Sequence, residues 1–165
     1  MGKLEYLEEA SFPRHMHCPF VNFESFIVDY GHKLKHLRLS LPNYYLLDTI
    51  CESCTNLEKF YFDGYVGKGF VKPLYQLTKL KELGICSRSL CTPTVDEFRS
   101  LLTNCTQLRV IFLRLSKSLD PQVWWELAAY ASRYPKRSIQ IILSAEPPRN
   151  LTLPPNVHNV VCERH

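Results

Sequence analysis

The sequence predicts an α/β solenoid of about five or six units, each made of one parallel strand followed by one helix. Two observations lead to it. The first is a recurring six-residue pattern: Leu34-Lys35-His36-Leu37-Arg38-Leu39 aligns with the segments Leu57 to Phe62, Leu80 to Ile85 and Leu108 to Leu113. Each has apolar residues at its first, fourth and sixth positions, and successive starts lie 23, 23 and 28 residues apart. The second is that apolar spacing changes between these segments from a period of 2 to one of about 3.6, as a strand followed by a helix requires.

Taken in order, strands are expected to start near residues 4, 34, 57, 80, 108 and 138, with weaker copies of the pattern at Leu4-Glu5-Tyr6-Leu7 and Ser138 to Leu143. A terminal strand is expected from Val157 to Cys162. Residues 20–30 place Phe23, Phe26, Ile27 and Tyr30 on one helical face, and residues 45–54 do the same with Leu47, Ile50, Cys51 and Cys54. Pro73 confines the third crossover, within residues 70–77, to a short or irregular helix. Thr94 and Glu97 form a capping box before the stripe Phe98, Leu101, Leu102 and Cys105. Asp120 with Pro121 opens the last helix, whose stripe is Val123, Trp124, Leu127, Ala128 and Ala131, with Trp125 at its edge. The array spans residues 1–144. The tail, 145–165, holds Pro147, Pro148, Pro154 and Pro155, so it should run extended and could fold back as a cap.

The intervals suit leucine-rich repeats. Cys54-Thr55-Asn56-Leu57 and Cys105-Thr106-Gln107-Leu108 each put a cysteine three residues before the first strand leucine. In this the chain resembles the cysteine-containing repeats of F-box/LRR proteins, over roughly residues 4–144. The resemblance implies that Cys54 and Cys105 end their helices and pack inside the coil. It also implies recognition of a substrate protein within a ubiquitin-ligase assembly. The segment 120–143, a capped helix with two tryptophans and then a short β run, resembles the last repeat of metazoan F-box receptors. The chain departs from the family in having no recognisable F-box, so a Skp-type adaptor is expected only if an F-box lies outside this chain, and no adaptor-docking residue is carried over. The array also starts without an obvious polar capping unit, as a fragment would.

Composition narrows the function. At 165 residues, with 45% apolar and 22% charged residues, the chain has the profile of one folded domain. Its net charge of +4 is dispersed, too mild to make nucleic acid the expected partner. No signal-peptide core and no run of eighteen apolar residues is present, so a soluble protein of the cytoplasm or nucleus is expected, with no membrane contact. Seven cysteines at irregular spacing read as buried thiols rather than a disulfide framework.

Strand alternation turns the third, fifth and seventh positions toward the concave face of a solenoid. The residues placed there are Tyr6 and Glu8; His36, Arg38 and Ser40; Lys59, Tyr61 and Asp63; Glu82, Gly84 and Cys86; Val110, Phe112 and Arg114; and Gln140, Ile142 and Ser144. Arg, Tyr and Phe are enriched where proteins bind one another. His36, Arg38, Lys59, Tyr61, Asp63, Glu82, Val110, Phe112 and Arg114 therefore form the candidate partner-binding surface, centred on Arg38, Tyr61, Phe112 and Arg114. The expected partner is a protein. A scaffold or assembly factor unrelated to ubiquitination is the alternative reading, with RNA binding by the basic, aromatic face a third.

The motifs that carry chemistry are weak, and neither enzyme activity nor any cofactor or metal is expected. Cys51 and Cys54 have the spacing of a redox pair or half a zinc site, but a helix C-terminus disfavours the thiolate. His15, His17 and Cys18 lack a fourth ligand nearby. Residues 64–69 hold three glycines without the Ser or Thr of a phosphate loop and read as a flexible connection.

Overall fold

A computed structural model describes residues 7–12, 20–41, 46–116, 119–143 and 147–159 of the chain. The apolar triplets of the sequence become strands β1 (Glu9–Phe12), β2 (His36–Leu41), β3 (Lys59–Gly64), β4 (Glu82–Ser87), β5 (Val110–Leu115), β6 (Ile139–Leu143) and β7 (Val157–Asn159). All seven are parallel and stand in sequence order across one sheet. Between them run helices α1 (Phe20–Tyr30), α2 (Leu47–Ser53), α3 (Val95–Asn104) and α4 (Pro121–Arg133). Crossovers of one hand between strands in consecutive order all lie on the same side of the sheet. The core therefore sits between that side and the helices, and among the described residues no helix covers the other.

The register follows the triplets. Leu37, Phe60, Leu83, Ile111 and Ile141 stand side by side, as do Leu39, Phe62, Ile85, Leu113 and Leu143, and all are buried. The second position of the first four units carries Glu8, Lys35, Glu58 and Lys81 in alternating charge, and Arg109 in the fifth breaks the alternation. Lys35 Nζ lies 2.6 Å from Glu8, and Lys81 Nζ lies 2.6 Å from Glu58. These half-exposed pairs add little stability, but a displaced neighbour would bring like charges together. The carbonyls of Glu8, Lys35, Glu58 and Lys81 each accept two successive N–H groups from the next strand, beginning with Lys35 and His36 at 2.8 and 3.0 Å.

Local chemistry fixes the helices. Thr94 Oγ1 accepts from the Glu97 N–H at 3.2 Å while Glu97 Oε2 accepts from the Thr94 N–H at 2.9 Å, closing the capping box at the start of α3. Asp120 Oδ1 accepts from the Gln122 N–H at 2.8 Å, and Pro121 fills the first position of α4. The α4 stripe is buried as the spacing predicts, with Trp125 exposed. Tyr130, absent from that predicted stripe, is fully buried too. The third crossover is only a 3-10 turn, Pro73–Gln76, which fits its proline and its 23-residue interval. Residues 64–69 are anchored at their centre: Val66 is buried and its N–H donates to Ser87 Oγ at 3.3 Å.

Two registers differ from the sequence reading. The first strand is not set by Leu4: Glu9 pairs with His36 and Ala10 with Leu37, so Leu7 takes the place corresponding to Leu34. An odd shift of three residues exchanges the two faces. It turns Phe12 inward, where its ring meets Phe23 at 4.8 Å and Phe26 at 5.4 Å, both edge to face. At the other end, Val157 pairs with Ile139 rather than with Ser138, one residue from the expected alignment. The tail folds back as expected of a cap: Leu151, Leu153 and Val157 pack on the core, and Asn156 O accepts from the Ile139 N–H at 2.9 Å.

Four of the five crossovers between β1 and β6 are tied down by a side chain from the segment that follows. Asn56 Nδ2 donates to His32 O at 2.7 Å, and Cys105 Sγ donates to Leu74 O and Leu77 O at 3.4 Å. The Tyr130 hydroxyl lies 2.8 Å from Leu108 O and 3.2 Å from Thr106 O, and Asn156 Nδ2 donates to the carbonyls of Ala131, Tyr134 and Arg137. Removing one such donor leaves buried carbonyls unpaired, at about 1–3 kcal/mol. Tyr130→Phe should therefore lower the unfolding free energy in urea by that amount with an unchanged far-UV circular-dichroism spectrum. A loss below about 0.5 kcal/mol would contradict the assignment.

Candidate functional site

Parallel sheets are usually covered on both faces and carry near-continuous apolar strands. Here the strands alternate, and the residues between the triplets look out from the uncovered face. Pairing arranges them in rows. The first row is Glu9, His36, Lys59, Glu82, Val110 and Gln140; the second is Ser11, Arg38, Tyr61, Gly84, Phe112 and Ile142; the third is Ser40, Asp63, Cys86 and Arg114. All nine candidate residues, His36, Arg38, Lys59, Tyr61, Asp63, Glu82, Val110, Phe112 and Arg114, stand on this one face. Of the two further positions expected at its start, Tyr6 lies outside the described residues, while the shifted register puts Glu9 and Ser11 on the face and leaves Glu8 to pair with Lys35. Ser144 also lies outside the described residues.

The nine do not have equal freedom. In the first row Lys59 and Glu82 meet each other, Lys59 Nζ lying 3.2 Å from Glu82 Oε1, while His36 Nδ1 lies 3.8 Å from Glu9. Glu82 Oε2 also accepts from the Tyr61 hydroxyl at 2.8 Å. Burial and then this bond push the Tyr61 phenol up to about 12. Burial is the largest influence on Glu82 and opposes its charge, yet Tyr61, Lys59 and Arg109 together hold its carboxyl below the ordinary value.

The second and third rows hold a depression of about 200 Å³, lined by Arg38, Tyr61, Asp63, Gly84, Cys86 and Phe112 among others. Its floor depends on Gly84. A Cβ there would come within 2.3 Å of Tyr61 Cδ1, so the phenol ring occupies the space a side chain would take. Arg38 and Arg114 are exposed, and neither has a hydrogen bond or ion pair among the described residues. The thiol of Cys86 is raised by burial and by the Asp63 carboxylate beside it, with Arg114 and Arg88 pulling it down.

A larger hollow of about 480 Å³ lies at Tyr134, Pro135, Lys136 and Arg137, but the Arg137 guanidinium is already engaged there by Thr106 O and the face of Tyr134, 4.4 Å away. Cys51 and Cys54 lie in the core. Burial raises both thiols, Cys54 to about 12, and Cys105 likewise to about 12. Cys54 and Cys105 directly follow α2 and α3, and a Cβ on Gly31 would meet Cys54 Sγ at 2.7 Å. His15, His17 and Cys18 lie outside the described residues. Among the described residues no helix is long and apolar enough to cross a membrane.

No protein-family model matches the chain, and no curated protein does either.

The Tyr61 to Glu82 bond has a defined pH window. A raised phenol pKa means its stabilisation is complete below about pH 10 and is lost as pH rises from 10 toward 12. A depressed carboxyl pKa means the Glu82 share is complete above pH 4.5 and is lost as pH falls through the lowered value. The difference in unfolding free energy between the native chain and Tyr61→Phe, about 1 kcal/mol at pH 7, should therefore shrink at both extremes. A difference that stays flat from pH 3 to 12 would contradict the bond.

Proposed function

We propose that the chain is a protein-interaction module of the leucine-rich-repeat type, whose uncovered sheet face is the concave surface of a solenoid and binds a polypeptide partner. The observation that supports this most is the second row, where Arg38, Tyr61 and Phe112 line one depression on a sheet face that the helices leave bare, with Arg114 opposite Cys86 in the row beyond. Aromatic rings and arginine offer large contact area and several donors at modest entropic cost, and in known interfaces they dominate the binding energy. The part-buried Val110, Phe112 and Ile142 extend the apolar side of the same surface.

The repeat reading draws support from the matching register of five triplets and from Cys54 and Cys105, buried at equivalent places after their helices. With its likeness to F-box/LRR proteins, the module would recognise the substrate of a ubiquitin ligase in the cytoplasm or nucleus, binding and positioning a protein without catalysing a reaction. A Skp-type adaptor would join only through an F-box on a polypeptide segment outside this chain.

Capture of partners from a cell extract by the immobilised chain should fall at least about tenfold in the double variant Arg38→Glu with Phe112→Ala, as expected for residues central to an interface. The circular-dichroism spectrum should not change, since both side chains lie outside the core. Capture that persists in the folded variant would overturn the reading.

A further inference from the structure

We propose that the face takes an extended acidic peptide in which an apolar residue lies midway between two carboxylates four positions apart. The inference rests on the protein-binding reading above and specifies its ligand. Near the depression, Arg38 and Arg114 have no hydrogen bond or ion pair among the described residues. Arg38 stands next to Ser11 in the second row and Arg114 at the far end of the third. Arg88, immediately after β4, is exposed and close enough to act on Cys86. Against these three guanidinium groups the depression holds one carboxylate, Asp63, which faces the Cys86 thiol. Lys59 and Glu82 cancel one another below it. The surface thus has a local cationic excess with an apolar centre, and its complement is anionic at both ends and apolar between.

Spacing follows from the sheet. Arg38 lies on β2 and Arg114 on β5, three strands away and two residues further along. With strands about 4.8 Å apart and about 3.3 Å per residue, the two Cα positions are separated by about 16 Å. An extended peptide covers about 13 Å in four residues, and the reach of two arginine side chains closes the difference. In an extended chain, residues i, i+2 and i+4 share one face. The two carboxylates then meet Arg38 and Arg114, and the apolar side chain between them falls between β3 and β4, where the ring of Tyr61 occupies the space over Gly84 and Asp63 and Cys86 stand in the next row. A bulky residue at position 84 would fill that seat, which gives the glycine a reason beyond packing.

The test uses a labelled peptide containing Glu-Ser-Leu-Ser-Glu, with fluorescence anisotropy on the full chain. Replacing either glutamate by glutamine should weaken binding about tenfold, the size expected for a charge-assisted contact, and moving the acids to adjacent positions should weaken it as much. Arg38→Gln should weaken the parent peptide similarly and abolish the effect of replacing one glutamate, with Arg114→Gln abolishing the effect of replacing the other. Equal binding of the neutral peptide, indifference to spacing, or tighter arginine-dependent binding of an oligouridine would overturn the proposal. Absence of peptide binding, while Arg38→Glu with Phe112→Ala still loses captured partners, would overturn the ligand class and leave the binding surface standing.

Discussion

The carbonyl groups at the ends of the crossovers carry the structure, because a helix leaves its last carbonyls without partners and in this chain those met by Cys105 and Tyr130 are buried. A unit of one strand and one helix cannot satisfy them itself. Cys105 reaches back to the turn before it, Tyr130 to the end of α3 and the approach to β5, and Asn156 to the end of α4. On the strand side the second-position carbonyls each hold two N–H groups of the following strand. Each unit is completed by the next one in sequence, and the extended tail does for the last helix what a further unit would do.

That arrangement explains why one face is free. Apolar triplets, helices and orphaned carbonyls are all spent on one side of the sheet, so the residues between the triplets are released from packing. Their chemistry is then set by row. The first row neutralises itself through Lys59 and Glu82, and Glu82 in turn holds the phenol of Tyr61 over Gly84. In the upper rows Arg38 and Arg114 have no hydrogen bond or ion pair among the described residues.

Much of this was legible in the sequence, for identifiable reasons. The triplets from Leu34 to Leu143 gave the strand registers because each strand has one buried face, and a wrong register would expose every buried side chain. Thr94 with Glu97 and Asp120 with Pro121 marked two helix starts because their capping bonds are local. The first strand was misplaced because Leu4 and Leu7 are spaced like a triplet, whereas the contact of Phe12 with Phe23 and Phe26 that decides its register is tertiary. The tail resisted reading for a similar reason: its anchor is Asn156, and a three-residue strand has too little pattern to set its own alignment. At the site, period 2 assigned the face but could not assign partners. That Lys59 and Glu82 are engaged while Arg38 and Arg114 have no partner among the described residues depends on which residues stand opposite one another, and the role of Gly84 depends on the ring of the neighbouring strand.

If each unit is completed by the next, removing the last tie should be felt beyond its own segment. Hydrogen exchange of the native chain and of Asn156→Ala tests this most directly, since the substitution removes a donor shared by Ala131, Tyr134 and Arg137. The account predicts that protection falls together in β7, in β6 and in the last turn of α4, with β2 and β3 least affected. Loss confined to residues 156–159, with α4 and β6 as protected as before, would contradict it.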